Sequence, residues 1–190
     1  MSLATHMRMM ARNNLWSNLR LLGACAKLSN EEFRATRTSF FPSLHETLNH
    51  ILAVDRYYID ALDNGGLGPR AFTEFKPYDD AASLAEAQEV SDRKLLAICD
   101  AETEDSLKRM VATDRGEKGR VDEVRGDLIA HLFLHQIHHR GQAHAMLAGT
   151  SVKPPQLDEY FLNYDRLSSG PELRSLGIAT PEAFRQEPIP

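Results

Sequence analysis

The chain has 190 residues, of which 42% are hydrophobic and 26% are charged, and its formal net charge is -5. This composition is typical of one globular domain with appendages, and the lack of a sustained Lys/Arg block argues against nonspecific binding to nucleic acid. Cys25 and Cys99 are far apart and neither belongs to a C-x-x-C pair, which argues against a disulfide framework or a cysteine-based zinc site. No apolar run approaches the roughly 18 to 20 residues of a membrane span, and the N-terminus lacks a secretory hydrophobic region. We therefore expect a soluble, cytoplasmic protein.

Two long helices are predicted in the first third of the chain. Between Thr5 and Leu28, apolar residues recur at three- and four-residue steps, a spacing typical of an amphipathic helix. Ser29 and the residues after it provide the cap and the carboxylates of a short helical turn. The second long helix is predicted over 42–62, because a proline stands in its first turn and leucines and isoleucines repeat behind it. His50 lies on a flank of this helix, where it can face a neighbouring helix.

A glycine- and proline-rich segment, 64–69, ends the second helix. We expect the aromatic residues of the following loop to pack over the helices or to line the mouth of a cleft: Phe72, Phe75 and Tyr78. Asp79 and Asp80 then cap a third helix, predicted over 81–101. The apolar core face of that helix consists of four residues: Leu84, Val90, Leu95 and Ile98.

The last third of the chain contains one more long helix. The apolar periodicity weakens over 106–124 around a Gly-Glu-Lys-Gly turn, which predicts a crossover with a small hairpin. The fourth helix begins near Gly126 and ends at Gly149. After a double proline at 154–155 we expect an irregular tail, since further prolines limit its helices to short pieces. Together the elements predict an all-α fold, a four-helix bundle with a long crossover before its last helix.

Five of the eight histidines lie in the predicted last helix: His131, His135, His138, His139 and His144. Helical spacing places two of them, His135 and His139, on one stripe with core residues, so these two point toward other helices. They are one turn apart, and the same step relates His131 to His135. Two imidazoles so spaced can bind one metal ion, so the sequence permits either pair. The alternative for a single histidine is a hydrogen-bonded role in the core.

Several polar residues near these histidines have open roles. Glu46 precedes His50 by one helical turn and could orient it, or could simply be solvated. Gln142 lies near the stripe and could hydrogen-bond a ligand or a neighbouring helix. Arg140 points away from the stripe, which indicates an ion-pairing or interface residue. Gly141 is costly within a helix, and close helix packing is the expected compensation.

The segments LHETLNHILAVDRYYIDAL and HLFLHQIHHRGQAHAML resemble the DinB/YfiT-like superfamily of metalloproteins. The resemblance covers roughly residues 10–165. It implies a four-helix bundle of the up-down-down-up type over 1–165, with a C-terminal extension over 166–190 that packs on the bundle or trails from it. It also implies one divalent metal ion held by three histidines: His50, His135 and His139. His131 is then left with a role in the bundle core or in support of the ligands.

The resemblance further implies a function. Characterised relatives use such a site for thiol-dependent transfer or isomerisation, which implies an S-transferase that joins a small-molecule thiol to an electrophile, in stress or detoxification. A homodimer is implied as well, with no nucleic-acid or membrane partner. The alternatives are a metal-dependent hydrolase that uses bound water, and a noncatalytic binding protein whose helical bundle is stabilised by its metal ion. Nickel, zinc, iron and manganese all accept imidazole, and no catalytic residue is assigned.

Overall fold

The computed structural model describes residues 1–63 and 65–178. Its helices are α1 (Leu3–Cys25), α2 (Asn30–Arg34), α3 (Leu44–Leu62), α4 (Arg70–Thr73), α5 (Ala81–Ala101), α6 (Arg125–Leu147) and α7 (Asn163–Ser175). Two strands, β1 (Met110–Asp114) and β2 (Arg120–Val124), pair antiparallel with Met110 opposite Val124. The fold is therefore mostly helical, as predicted, and the predicted hairpin is confirmed. Within the described residues, no helix combines the length and the apolar character that crossing a membrane requires.

The chain forms two compact units, Met1–Pro154 and Pro155–Pro190. The first contains α1 to α6 and the hairpin, and the second contains α7. The boundary predicted from the resemblance, at residue 165, stays a prediction. Of the predicted extension, residues 179–190 lie outside the described part of the chain.

Side-chain caps set the starts of the helices that the sequence predicts. Ser29 accepts a hydrogen bond from the backbone N–H of Glu32, whose carboxylate accepts one from the Ser29 N–H in return. The Asp80 carboxylate accepts from the Ser83 N–H, which starts α5 at the predicted residue. Ser43 accepts from the Glu46 N–H, so α3 begins two residues later than predicted.

The four long helices of the first unit pack as a ring, in which α1 and α3 each contact both α5 and α6. The fully buried side chains of these helices include Leu15, Ile51, Leu84, Leu95, Ile129 and Leu132. Each contributes roughly 1.5–3 kcal/mol by leaving water. This arrangement holds α3 beside α6, the two helices that carry the predicted metal ligands.

The predicted core face of α5 is wrong at Val90, which is 72% exposed. Val90 lies on the opposite side of α5 from Leu84 and Leu95, which are buried. The positions between these two leucines on the buried face are taken by Gln88 and Asp92. The sequence pattern failed here because polar residues occupy core positions of the helix.

The predicted irregular tail is also wrong over Asn163–Ser175, which forms α7 with Pro171 inside it. Proline cannot donate to the helix ladder, and its ring normally clashes with the Cβ of the preceding residue. Gly170 precedes Pro171 and has no Cβ, which removes that clash. The later prolines, Pro181, Pro188 and Pro190, lie outside the described residues.

Candidate metal centre

Three histidines from two helices converge on one point. His50 comes from α3, and His135 and His139 come from successive turns of α6. One nitrogen from each ring lies within 4.8 Å of the other two. The Nε2 atoms of His50 and His135 are 3.0 Å apart, and the His139 ring centroid lies 4.6 Å from that of His50. The structure thus brings together the three residues that the resemblance indicates.

The donor set fits one divalent ion. A zinc–imidazole bond measures about 2.0–2.1 Å, so two nitrogens on one ion lie about 3.0–3.4 Å apart. The 3.0 Å separation of the His50 and His135 nitrogens meets this requirement. The nitrogens of all three rings lie within 4.8 Å of one another. The three side chains are half-buried or buried, and imidazole is a preferred ligand of zinc, nickel, iron and copper.

The electrostatics of the centre favour neutral imidazoles. Burial, followed by the charge of neighbouring imidazoles, lowers the pKa of His135 to about 3. Burial and then the charge of His139 lower the pKa of His50 to about 4. Burial lowers the pKa of His139 as well, against the opposing effect of the hydrogen bond that His139 donates to Gln142. All three rings are therefore neutral at pH 7, the protonation state in which imidazole has a lone pair for a metal.

Gln142 sets the orientation of the His139 ring. Its Oε1 atom lies 2.8 Å from His139 Nδ1, and its Nε2 atom lies 3.1 Å from His138 Nε2. Because an amide oxygen only accepts, His139 Nδ1 is the donor and its Nε2 carries the lone pair. Such a bond fixes the tautomer of a metal-binding histidine. The hydrogen-bonding role predicted for Gln142 is present, but its partners lie on the same helix.

A cavity of about 470 Å³ adjoins the three histidines. Its other walls carry aromatic, charged and imidazole side chains from α3, α4, α6 and the hairpin. Among them are Tyr57, Tyr58, Phe72, Asp114, Arg115 and His131. Phe72 thus lines a cleft, as the sequence predicts. On another side of the histidines, the Phe41 ring lies 4.3 Å from that of His50 and 5.6 Å from that of His139. Phe41 and Phe75 line a second cavity of about 400 Å³, which His50 also borders.

The structure tests the sequence-based expectations for four residues near the site. His131 is exposed on the cavity wall, with its ring edge-to-face on Tyr58 at 4.9 Å, so a role in the bundle core is wrong. No atom of the described residues lies within 4 Å of a Cβ built on Gly141, so close packing against those residues does not explain this glycine. Glu46 is exposed, and no hydrogen bond between it and His50 occurs among the described residues. His138 is exposed and contacts His139 only edge-on, at 4.8 Å.

A buried polar network that the sequence analysis missed lies next to the histidines. Its members come from α1, α3, α5 and α6 and are at most 6% exposed: Asn14, Asn18, Asp55, Gln88, Asp92, Gln136 and Arg140. Gln88 donates to Asp55 at 2.7 Å, and Asn18 donates to Asp92 at 2.9 Å. The sequence signal that could have revealed it is the i, i+4 spacing of polar pairs on three helices.

Charge in this network is unbalanced, because two carboxyl groups share one guanidinium. Burial, and then the charge of Asp92, raise the pKa of Asp55 well above its ordinary value. Burial raises the pKa of Asp92 to about 6 and lowers that of Arg140 to about 10. Arg140 donates to the side-chain oxygens of Asn14 and Asn18, at 2.9 and 3.1 Å. The network ties all four long helices together at the level of the metal centre.

Comparisons with known proteins agree with this architecture. The model of the DinB family matches residues 1–169. Protein DinB of Bacillus subtilis is 24% identical over 155 residues, which cover 77% of this chain and 88% of that protein. The crystal structure of a DinB-like protein from Bacillus cereus aligns with a TM-score of 0.58 at 15% identity, covering 75% of this chain and 89% of that chain. With a family match over most of its length, the chain belongs to the DinB family.

Proposed function

We propose that this protein is a divalent-metal-dependent S-transferase that joins a small-molecule thiol to an electrophile. The observation that carries the proposal is the convergence of three neutral imidazoles at the wall of a cavity of about 470 Å³. His50, His135 and His139 would hold the ion. A cavity of this size is within the usual range for a small-molecule site.

A divalent ion at this position supplies the acidity that deprotonates a thiol at neutral pH. Residues of the chain orient the ligands and bind the electrophile. Gln142 holds the His139 ring with its Nε2 lone pair available, and Phe41 covers the His50 and His139 rings from one side. Phe72, on α4, provides an apolar wall for the body of the electrophile. The sulfur–carbon bond then forms as the leaving group departs with the electrons of its bond to carbon.

The finer expectations from the resemblance remain part of the proposal. The ring of α1, α5, α3 and α6 supports a four-helix bundle of the up-down-down-up type, with the ligands facing its interior. A homodimer, a cytoplasmic location and a role in stress or detoxification are proposed with it. Light scattering measures the first of these, and a monomeric mass would reject the dimer.

Transfer is tested with monochlorobimane as the electrophile and cysteine or glutathione as the thiol. The protein loaded with zinc, nickel, iron or manganese should give a fluorescence gain that requires both thiol and metal. Protein stripped with a chelator and the variant His139→Ala should lose this gain, whereas His138→Ala, one residue away, should keep it.

Each alternative function has its own outcome in the same experiment. Turnover of an activated ester without thiol would show that the protein is a hydrolase and not a transferase. Hydrolysis needs a base to activate the water, and Glu46, the carboxylate one helical turn before His50, is exposed, which counts against that outcome. If neither substrate is turned over and the melting temperature falls strongly on metal removal, the ion has a structural role and both enzymatic functions are rejected.

A further inference from the structure

Two adjacent tyrosines on the cavity wall differ in what their hydroxyl groups can do. The Tyr57 hydroxyl donates to the backbone carbonyl of Asp114 at 2.6 Å, so its proton is engaged in a hydrogen bond within the protein. The Tyr58 hydroxyl lies 3.0 Å from a guanidinium nitrogen of Arg115. A guanidinium can only donate, so the Tyr58 oxygen accepts this bond and keeps its own proton. Across residues 1–63 and 65–178, no side chain or backbone group accepts that proton.

Arg115 is itself held in place. Its second terminal nitrogen lies 3.2 Å from a carboxylate oxygen of Glu123 on the neighbouring strand, which leaves the first nitrogen for Tyr58. The guanidinium carbon also lies 5.5 Å from the centre of the Tyr58 ring. A fixed positive charge therefore stands beside the phenolic oxygen, where it stabilises negative charge that develops there.

Tyr58 and the metal centre share one cavity. Tyr58, Arg115 and the three histidines all line it. The His131 ring bridges them, at 4.9 Å from the Tyr58 ring and 6.3 Å from the His135 ring. A molecule attacked by a nucleophile near His135 can therefore present another of its atoms to the Tyr58 hydroxyl.

We propose that Tyr58 is a catalytic residue that donates its proton to an oxygen atom of the electrophile, and that epoxides are the substrate class of this site. This inference rests on the proposed function. The thiolate sulfur forms a bond to an epoxide carbon, and the carbon–oxygen bond breaks with its electron pair on oxygen. That oxygen takes the proton of Tyr58, and the phenolate beside Arg115 regains a proton from water. The net product is a β-hydroxy thioether, and nothing is oxidised or reduced.

Chloride leaves without a proton, so an alkyl chloride does not need Tyr58. A positioned proton donor contributes about 10²–10⁴-fold to a rate that needs it. Tyr58→Phe should therefore lower kcat/KM for styrene oxide by about 100-fold or more, while kcat/KM for monochlorobimane changes by less than about 3-fold. The matched control, Tyr57→Phe, should leave both reactions within about 3-fold of the unmodified protein, because that hydroxyl is already bonded to the backbone.

Rates are measured on the metal-loaded full chain with the thiol that supports bimane transfer. Equal losses with both electrophiles in Tyr58→Phe would show a structural role and overturn the proposal. Unchanged turnover of styrene oxide in that variant would overturn it as well. An unmodified protein that uses monochlorobimane and ignores styrene oxide would reject epoxides as the substrate class.

A binding measurement separates this proposal from the proposed function. The β-hydroxy thioether of styrene oxide and cysteine is prepared chemically and titrated into zinc-loaded protein by calorimetry. Loss of one hydrogen bond should weaken its binding to Tyr58→Phe about 5- to 10-fold and leave Tyr57→Phe unchanged. If no electrophile is turned over, S-transfer fails, but this selective loss would still support the oxygen-binding role of Tyr58. Equal affinity in both variants, or no binding to the unmodified protein, would overturn it.

Discussion

Helix α6 carries two polar clusters on adjacent strips of its surface. His135 and His139 belong to the candidate metal centre, and Gln136 and Arg140, each one residue further on, belong to the buried network. One residue is a rotation of about 100° around a helix, so the two strips face different neighbours. The histidines border a cavity, whereas Gln136 and Arg140 pack among polar side chains of α1 and α3. The two polar pairs thus have the same spacing in the chain, but one borders a cavity and the other lies in the packed interior.

The clusters differ in how their hydrogen-bonding groups are used. In the network, donors meet acceptors: Gln136 donates to Asp55, and Arg140 donates to two asparagines. One oxygen of Asp55 is an exception, because it is buried without a partner. In the metal centre, like groups face each other, as the 3.0 Å approach of two imidazole nitrogens shows. A satisfied polar cluster stabilises and specifies the fold, whereas two imidazole nitrogens at this separation can both bind one ion.

The largest effect should follow from breaking the network. Arg140→Ala leaves Asp55 and Asp92 buried without their cation, and removal of one partner of a buried charge pair costs about 3–5 kcal/mol of unfolding free energy. Urea unfolding of the metal-free protein measures this. The exposed pair of Arg93 and Glu89 is the matched control, and Arg93→Ala should cost less than about 1 kcal/mol. Similar costs for the two arginines would contradict the role of the network.

Breaking the metal centre should lower metal affinity and leave the fold almost intact. Removing a supporting hydrogen bond typically costs 10- to 100-fold in affinity, so removing a ligand in His139→Ala should cost more than about 100-fold. His50→Ala and His135→Ala should behave alike, and His138→Ala should bind normally. Competition with a chromophoric chelator gives the affinities. Full metal content of His139→Ala by elemental analysis would reject the assignment.

A smaller effect is expected where one residue orients a ligand. Gln142→Ala removes the acceptor of the His139 Nδ1 proton and should weaken metal binding about 10-fold. Gln142→Glu keeps an acceptor oxygen and should retain the affinity. The metal-free melting temperature should stay unchanged in both, which separates orientation from stability. Equal affinities of Gln142→Ala and the unmodified protein would show that Gln142 does not orient the ring.

The last effect is the contribution of Asp92 to the dependence of stability on pH. Comparison with Asp92→Asn isolates it from the opposite contribution of His50 and His135, whose pKa values are lowered in the folded protein. Because the pKa of Asp92 is raised to about 6 in the folded protein, the folded state binds more protons than the unfolded state above the ordinary aspartate pKa. This contribution to stability is present below about pH 4 and is lost as the pH rises through about 6, by at most about 1.4 kcal/mol per pH unit. The stability of the unmodified protein relative to Asp92→Asn should fall over that range. A relative stability that rises instead would contradict the raised pKa.

The sequence alone predicted the features that depend on neighbours along the chain. Helix α5 begins and ends at the predicted residues, and the Ser29 cap is present, because caps and helical periodicity are interactions between residues three or four apart. The spacing of His135 and His139 placed both on the inner stripe of α6 for the same reason. The motif resemblance added His50 as their partner, and the structure brings the three together.

Tertiary structure decided the features that depend on packing between helices. Spacing alone could not choose between the pairs that contain His135, because the choice depends on which turn of α6 meets His50 on α3. It could not show that Gln88 and Asp92 occupy the core in place of Val90, since their partners lie on other helices. It could not distinguish Tyr57 from Tyr58, whose different hydrogen bonds arise where the hairpin meets α3. Local patterns determine which residues are helical and which side faces inward, whereas contacts distant in the chain determine what each inward-facing group meets.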